Sequence, residues 1–287
     1  MLFKIFLGLC ITGIIILAAV IIESKRENSK IDVSFFEFSD KRIKKPVKIV
    51  MLADLHNKEF GERNQILINK LLEQSPDIVM IPGDVIVGKK GVEENTAVDF
   101  LNDIASFFTV LVSKGNHESR TGLYTEQYGD MWDKLYAATK DNVKWLINES
   151  YYMEDLNISV TGLDIDAPYY QRFKLKKMDD NYLKSRLAER NELSYNILLA
   201  HNPDYFKNYA AWGADLVFSG HYHGGLIIIP HIGGLISPMV RLFPRYYKGL
   251  YEINDNKMLL TGGIGGHTLN FRVNNKPEIC VINLSNK

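Results

Sequence analysis

The chain has 287 residues, with 34 basic residues balanced by 34 acidic ones and 46% hydrophobic residues. That is enough apolar material for one full-sized globular core, and it excludes a disordered or low-complexity chain. A formal net charge of zero excludes a global field for collecting nucleic acid. Two cysteines, Cys10 and Cys280, are too few for a disulfide framework or a thiolate zinc site.

After Lys4, residues 5–22 form an uncharged run, IFLGLCITGIIILAAVII, which as a helix reaches roughly 27 Å, close to the hydrocarbon thickness of a bilayer. Residues 1–24 therefore read as an N-terminal transmembrane helix of a single-pass cell-membrane protein. A cleaved signal peptide is the alternative. No small-x-small site closes the run, because Ile21, Ile22 and Glu23 follow Val20 directly. Cys10 lies too early, behind bulky Leu9, to be a lipidation site. Lys25, Arg26 and Lys30 favour a cytoplasmic globular part, yet a short tail with Lys4 also begins an ordinary N-in signal anchor, so both orientations stay open. Residues 25–45 are polar and read as a stalk, with IDVSFFEF (31–38) as a first strand by its alternation.

From residue 46 onward, short apolar runs alternate with helical patterns, the signature of an α/β fold. VKIVML (47–52), DIVMI (77–81) and TVLV (109–112) read as strands, with helices over 64–74 and 96–108. In the second half ILLA (197–200), DLVFS (215–219), LIII (226–229), MLLT (258–261) and ICVI (279–282) read as strands, with helices over 178–192 and 204–211. The stretch 226–250 mixes apolar residues and prolines with Arg241, Arg245, Tyr246, Tyr247 and Lys248. That composition suits either a loop meeting lipid headgroups or a hairpin packed on the core.

Five of these strands are followed at once by metal-capable side chains: Asp54 and His56, then Asp84, then Asn116 and His117, then His201, then His221 and His223. In an open α/β sheet the C-terminal strand ends converge on one crevice, so these residues can meet. An isolated aspartate after a strand is usually a helix cap, and a lone histidine before Asn202-Pro203 a turn residue; position within the full set reverses those readings. Carboxylates with neutral imidazoles select zinc, manganese or iron over calcium. Two such ions leave the site positive, which draws an anionic phosphate. No G-x-x-x-x-G-K-[ST] loop and no activated serine or cysteine is present. His231 and His267 lie outside the set and read as loop residues. Asp164 and Asp166 read as surface carboxylates, and Asn270 and Arg272 as substrate-contact candidates, the latter because a guanidinium grips phosphate in a bidentate manner.

The ordered string LADLHN, PGDV, GNHE, AHNP and GHYH resembles the calcineurin-like metallophosphoesterase superfamily, whose blocks read D-x-H, G-D, G-N-H-D/E, H and G-H-x-H. Beyond His223, HGGLIIIPHIGGLISPMVRLFPRYYKGLYE and FRVNNKPEI resemble the membrane-associated branch similar to YkuE and to UDP-2,3-diacylglucosamine pyrophosphatases. The resemblance implies a four-layer α/β sandwich, two mixed sheets flanked by helices, with residues 46–287 as the catalytic domain. It implies two divalent ions, of manganese, zinc or iron: one on Asp54, His56 and His223, the other on Asn116, His201 and His221, with Asp84 bridging. His117 would stay off the metals as proton donor or transition-state stabiliser, and Glu118, where many members have Asp, would take a supporting role. The implied reaction is in-line attack of hydroxide on a phosphodiester or pyrophosphate, in a phosphorylated small molecule or a lipid-linked envelope precursor. A phosphomonoesterase or protein phosphatase uses the same site, and a non-catalytic tethered binding module is the third reading. Neither nucleic acid nor an obligate protein partner is expected.

Overall fold

A computed structural model describes residues 1–173, 175–237, 239–266 and 271–286. The N-terminal apolar run forms α1 (Leu2–Asn28), and β1 (Asp32–Ser39) follows three residues later. The helix runs on past the apolar segment because Glu23 and Arg26 pair one turn apart at 2.5 Å and Lys25 and Arg26 complement the dipole of the last turn. β1 pairs in parallel, over its full length, with the last strand of the chain, so the middle of the stretch read as a stalk belongs to a sheet and its first four residues to α1.

The first sheet continues through β2 (Val47–Met51), α2 (Gln65–Gln74), β3 (Ile78–Ile81), α3 (Asn95–Ala105) and β4 (Thr109–Val112). Then come α4 (Asn116–Leu123), α5 (Thr125–Tyr128), α6 (Met131–Thr139) and the short edge strand β5 (Lys144–Trp145). The second half supplies β6 (Ser150–Met153), β7 (Ile158–Leu163), α7 (Tyr182–Arg186), β8 (Tyr195–Ala200), α8 (Phe206–Trp212) and β9 (Leu216–Ser219). A small hairpin, β10 (Ile228–Ile229) and β11 (Gly233–Gly234), precedes β12 (Gly249–Ile253), β13 (Asn256–Leu260) and β14 (Glu278–Ser285).

These strands form two six-stranded mixed sheets, ordered β1-β14-β2-β3-β4-β5 and β12-β13-β9-β8-β7-β6. Strands β2 to β5 are mutually parallel, as are β7, β8, β9 and β13. Because side chains alternate along a strand, each sheet has two apolar faces. Ile49 and Met51 of β2 join Ile197, Leu199, Phe218 and Leu259 of the second sheet in a core between the sheets. Val50 turns the other way, toward Leu67, Leu71, Phe100 and Ile104 of α2 and α3. On the far side, Leu198, Val217 and Leu260 pack on Phe206 and Tyr209 of α8. The result is the helix–sheet–sheet–helix sandwich the motifs implied, with near-continuous apolar strands because both faces are covered.

Two elements are shorter than their sequence patterns predict. The helix expected over 178–192 contracts to α7, because the Asp179 and Asn191 side chains accept from the backbone N–H groups of Asn181 and Leu193 and turn the chain there. The strand expected over 226–229 is only Ile228–Ile229, paired with Gly233–Gly234 outside both large sheets.

Candidate metal centre

The parallel arrangement delivers the five motifs to one edge. Asp54 follows β2, Asp84 follows β3, Asn116 opens α4 after β4, His201 follows β8, and His221 and His223 follow β9. All of these but the half-buried Asn116 are buried. Two glycines permit the approach: a side chain on Gly115 would collide with the Asp84 carboxylate, and one on Gly220 with that of Asp54. Five of the side chains sit on left-handed backbone, Asp54 at φ 57°, His56 at 49°, Asp84 at 56°, His221 at 73° and His223 at 47°. Such conformations cost of order 1–3 kcal/mol each and persist where the surroundings over-determine them.

Donor atoms gather in overlapping groups, each within 4.8 Å: Asp54, His56 and His223; Asp84, His201 and His221; and His56, Asp84 and His117. His201 Nε2 lies 3.0 Å from Asp84 Oδ2 and 3.6 Å from Asp54 Oδ1. His223 Nε2 lies 3.4 Å from Asp54 Oδ1. The Nε2 atoms of His56 and His223 face one another at 3.2 Å, a separation at which two imidazole nitrogens share either a proton or a cation. Backbone carbonyls fix the outer nitrogens: Nδ1 of His201 donates to Pro82 O at 2.8 Å and that of His56 to Ile86 O at 3.3 Å. With the proton on Nδ1, the Nε2 lone pair turns inward, as a metal-binding imidazole requires. The buried Asn116 Oδ1 accepts no hydrogen bond among the described residues. A hard anionic and imidazole donor set with an orphaned amide oxygen fits divalent ions.

His117 differs in a way that bears on its role. Its Nδ1 accepts from Gly88 N–H at 2.8 Å, and Arg120 Nη2 lies 2.8 Å from the same atom. A backbone N–H only donates, so in the neutral ring the proton is on Nε2, which lies 3.9 Å from Asp84 Oδ2. That ring presents an N–H to the site rather than a lone pair.

Glu118 ties the loops together: its carboxylate accepts from the backbone N–H groups of Asp84, Ile86 and Gly115 at 2.8, 3.0 and 2.8 Å. Burial and the Asp84 charge push its carboxyl up to about 7. Burial pushes Asp54 up as well, whereas against burial the His201 imidazole holds Asp84 well below the usual carboxylate range. Sequence reasoning passed over Arg120 and Tyr170, whose ring packs edge-on against His221 at 5.3 Å; neither belongs to a metal-ligand pattern.

The substrate-contact candidates fare differently. Arg272 is buried, and its two terminal nitrogens donate to the carbonyls of Gly262, Asn275, Gly263 and Gly265. It braces a glycine loop and does not reach for phosphate. Asn270, like His267, lies outside the described residues. Asp164 is not a surface carboxylate: burial raises its pKa, and it accepts from Ser119 Oγ at 2.5 Å. Asp166 pairs with Arg186 near the surface. Arg241 is held by Asp204 at 2.7 Å and by the Tyr222 hydroxyl at 3.1 Å.

The acid–base state of the metal-free site has a measurable consequence. Burial lowers the pKa of His201, but Asp84 and Asp54 overcome it and raise the ring to about 9 from an unfolded value of 6.5. Between pH 7 and 8.5 metal binding at this ring should therefore release about one proton, with affinity climbing about tenfold per pH unit and levelling above 9. Calorimetry in buffers of different ionisation enthalpy measures that release. The same shift stabilises the metal-free fold fully below pH 6.5, and the stabilisation is lost as pH rises through 9.

Residues 47–225, which contain all five motifs, match the family described as calcineurin-like phosphoesterase, and the chain belongs to it. It is a metallophosphoesterase, a hydrolase of phosphoester bonds, in a family that uses a dinuclear divalent metal centre. Among similar proteins is the uncharacterised metallophosphoesterase Cj0846 of Campylobacter jejuni, 32% identical over 85% of this chain and 61% of that protein. The phosphodiesterase YaeI of Escherichia coli is 26% identical over 83% of this chain and 82% of its own. The UDP-2,3-diacylglucosamine pyrophosphatase LpxG of Chlamydia muridarum is 24% identical over 82% of this chain and 83% of its own. The chain thus spans under two thirds of the Campylobacter relative's length.

Proposed function

We propose that the protein is a membrane-anchored phosphoesterase with two divalent ions, of manganese, zinc or iron, acting on a phosphodiester or pyrophosphate bond of a lipid-linked substrate. The observation that carries the metal reading is the convergence of Asp54, His56 and His223 in one cluster and of Asp84, His201 and His221 in another. In this reading the first cluster holds one ion, the second with Asn116 holds the other, and Asp84 spans both. The ions, when bound, supply Lewis-acid polarisation of the phosphoryl group and lower the pKa of water. His117, with its Nε2 proton aimed inward, donates a hydrogen bond to a phosphoryl oxygen as charge builds there. Its Nδ1, occupied by Gly88 N–H, is closed to a second proton, so the ring stabilises charge and does not act as an acid.

The anchor reading is supported by α1 itself. Its apolar window has a mean hydropathy of 3.0 and none of it is buried, unlike the core helix of a soluble protein. The lipid-linked substrate is supported by the printed activity of LpxG and by Ile232, Leu242 and Phe243, all exposed by more than half, in the stretch read as meeting headgroups.

The test uses the full chain in detergent with manganese. We expect turnover of bis-nitrophenyl phosphate over the nitrophenyl monoester, and of UDP-2,3-diacylglucosamine over its deacylated analogue. A monoester preference would replace this reading with a phosphatase, and equal turnover of acylated and deacylated substrates would remove the lipid.

A further inference from the structure

The last turn of α1 is polar, yet it is the part of the helix that is buried. Ser24 and Glu27, three residues apart and so on one face, are each 4% exposed, while none of the apolar window before them is buried among the described residues. Ser24 Oγ accepts from Arg272 N–H at 2.9 Å and Glu27 Oε2 from Asn275 N–H at 2.7 Å. The Asn28 carbonyl accepts from Lys58 Nζ at 2.9 Å.

Each of these three contacts leads to a different member of one cluster. The Asn275 side chain donates to the carbonyl of His223 at 2.6 Å. Arg272 holds the carbonyls of Gly263 and Gly265; Gly263 packs on the Asp54 carboxylate, and Gly265 N–H donates to Asp54 O at 2.6 Å. Lys58 is two residues past His56, in a turn closed by its own N–H on Leu55 O. Asp54, His56 and His223 are thus all braced from the helix end. Asp84 and Gly115, the residue before Asn116, are instead held through their N–H groups by the Glu118 carboxylate, and His201 by the Pro82 carbonyl, while the His221 N–H donates to the Asp54 carboxylate.

We propose that the last turn of α1, through Ser24, Glu27 and Asn28, is a positioning element of the Asp54/His56/His223 metal site, so that seating of the membrane helix and occupancy of that one site are coupled. The inference rests on the two-metal reading above. Orientation of ligating side chains by their hydrogen-bonded supports typically changes metal affinity by about 10–100-fold, and the supports here are the backbone at His223 and Asp54.

The experiment titrates manganese into the full chain in detergent micelles, counting sites and affinities by electron paramagnetic resonance. Wild type should bind two ions. Glu27→Ala should weaken one site by about 10–100-fold and leave the other within about twofold, and Glu27→Gln, which keeps an acceptor for Asn275 N–H, should restore it. Lys30→Ala, exposed just past the same turn, should change neither. If Glu27→Ala does not fold, Ser24→Ala removes the single acceptor for Arg272 N–H in the same turn and is held to the same expectation. Two wild-type sites that the folded variant leaves unchanged, or weakens equally, would overturn the coupling alone. A wild-type protein that binds no pair of ions would overturn the two-metal reading instead.

Discussion

Asp84→Asn should empty both metal positions and reduce turnover by about 10³-fold or more, equivalent to at least about 4 kcal/mol of transition-state stabilisation. Asp84 Oδ2 lies within 3.0 Å of His201 Nε2 and 3.7 Å of His56 Nε2, so its carboxylate reaches the donors of both clusters. An amide is isosteric and still accepts the His117 backbone N–H now held at 2.8 Å, so the fold should persist by circular dichroism. What the amide lacks is the negative charge that two cations would share in the proposed centre. Metal analysis of the purified variant reads the outcome, and retention of one tightly held ion would remove Asp84 as the bridging group.

His117→Ala should do the reverse: keep two ions and lose about 10²–10³-fold in kcat, the range for removing one preorganised donor from a developing oxyanion. The tautomer imposed by Gly88 sharpens the expectation. A ring that donates a hydrogen bond to phosphoryl oxygens loses the same factor for nitrophenyl and alkyl esters. A ring that protonates the leaving group loses progressively more as that group becomes more basic. Rates of the variant and wild type across a series of diesters separate the two, and a metal-free His117→Ala protein would return the ring to the ligands.

The metal cluster was legible in the sequence because each member follows a short apolar strand and sits in a motif of two to four residues. The glycines of G-D, G-N-H and G-H-x-H carry the steric room that lets the carboxylates approach. Elements without such local signals were not legible. α4, with sequence NHESRTGL, has no apolar stripe, and the buried strand β7 carries a glycine one residue before its end that blurs its pattern. The brace role of Arg272 depends on carbonyls brought close only by the folded loop, and a surface cation and a buried one read alike in one dimension. The docking of α1 joins Ser24 to Arg272 and Glu27 to Asn275, pairs 248 residues apart, a distance at which periodicity carries no information.

The pairing of β1 with β14 has a consequence for biosynthesis. Ser34 and Glu278 meet although they stand 244 positions apart in the chain, and among the described residues β1 has no other strand neighbour in its sheet. At a synthesis rate of about 5–20 residues per second, β1 waits roughly 12–50 s for its partner. Through that interval a segment carrying Phe35, Phe36 and Phe38 has an unpaired edge, the kind of surface on which nascent chains aggregate. The apolar helix ahead of it emerges first, so in the proposed anchored protein the chain would engage the membrane long before its first sheet could close.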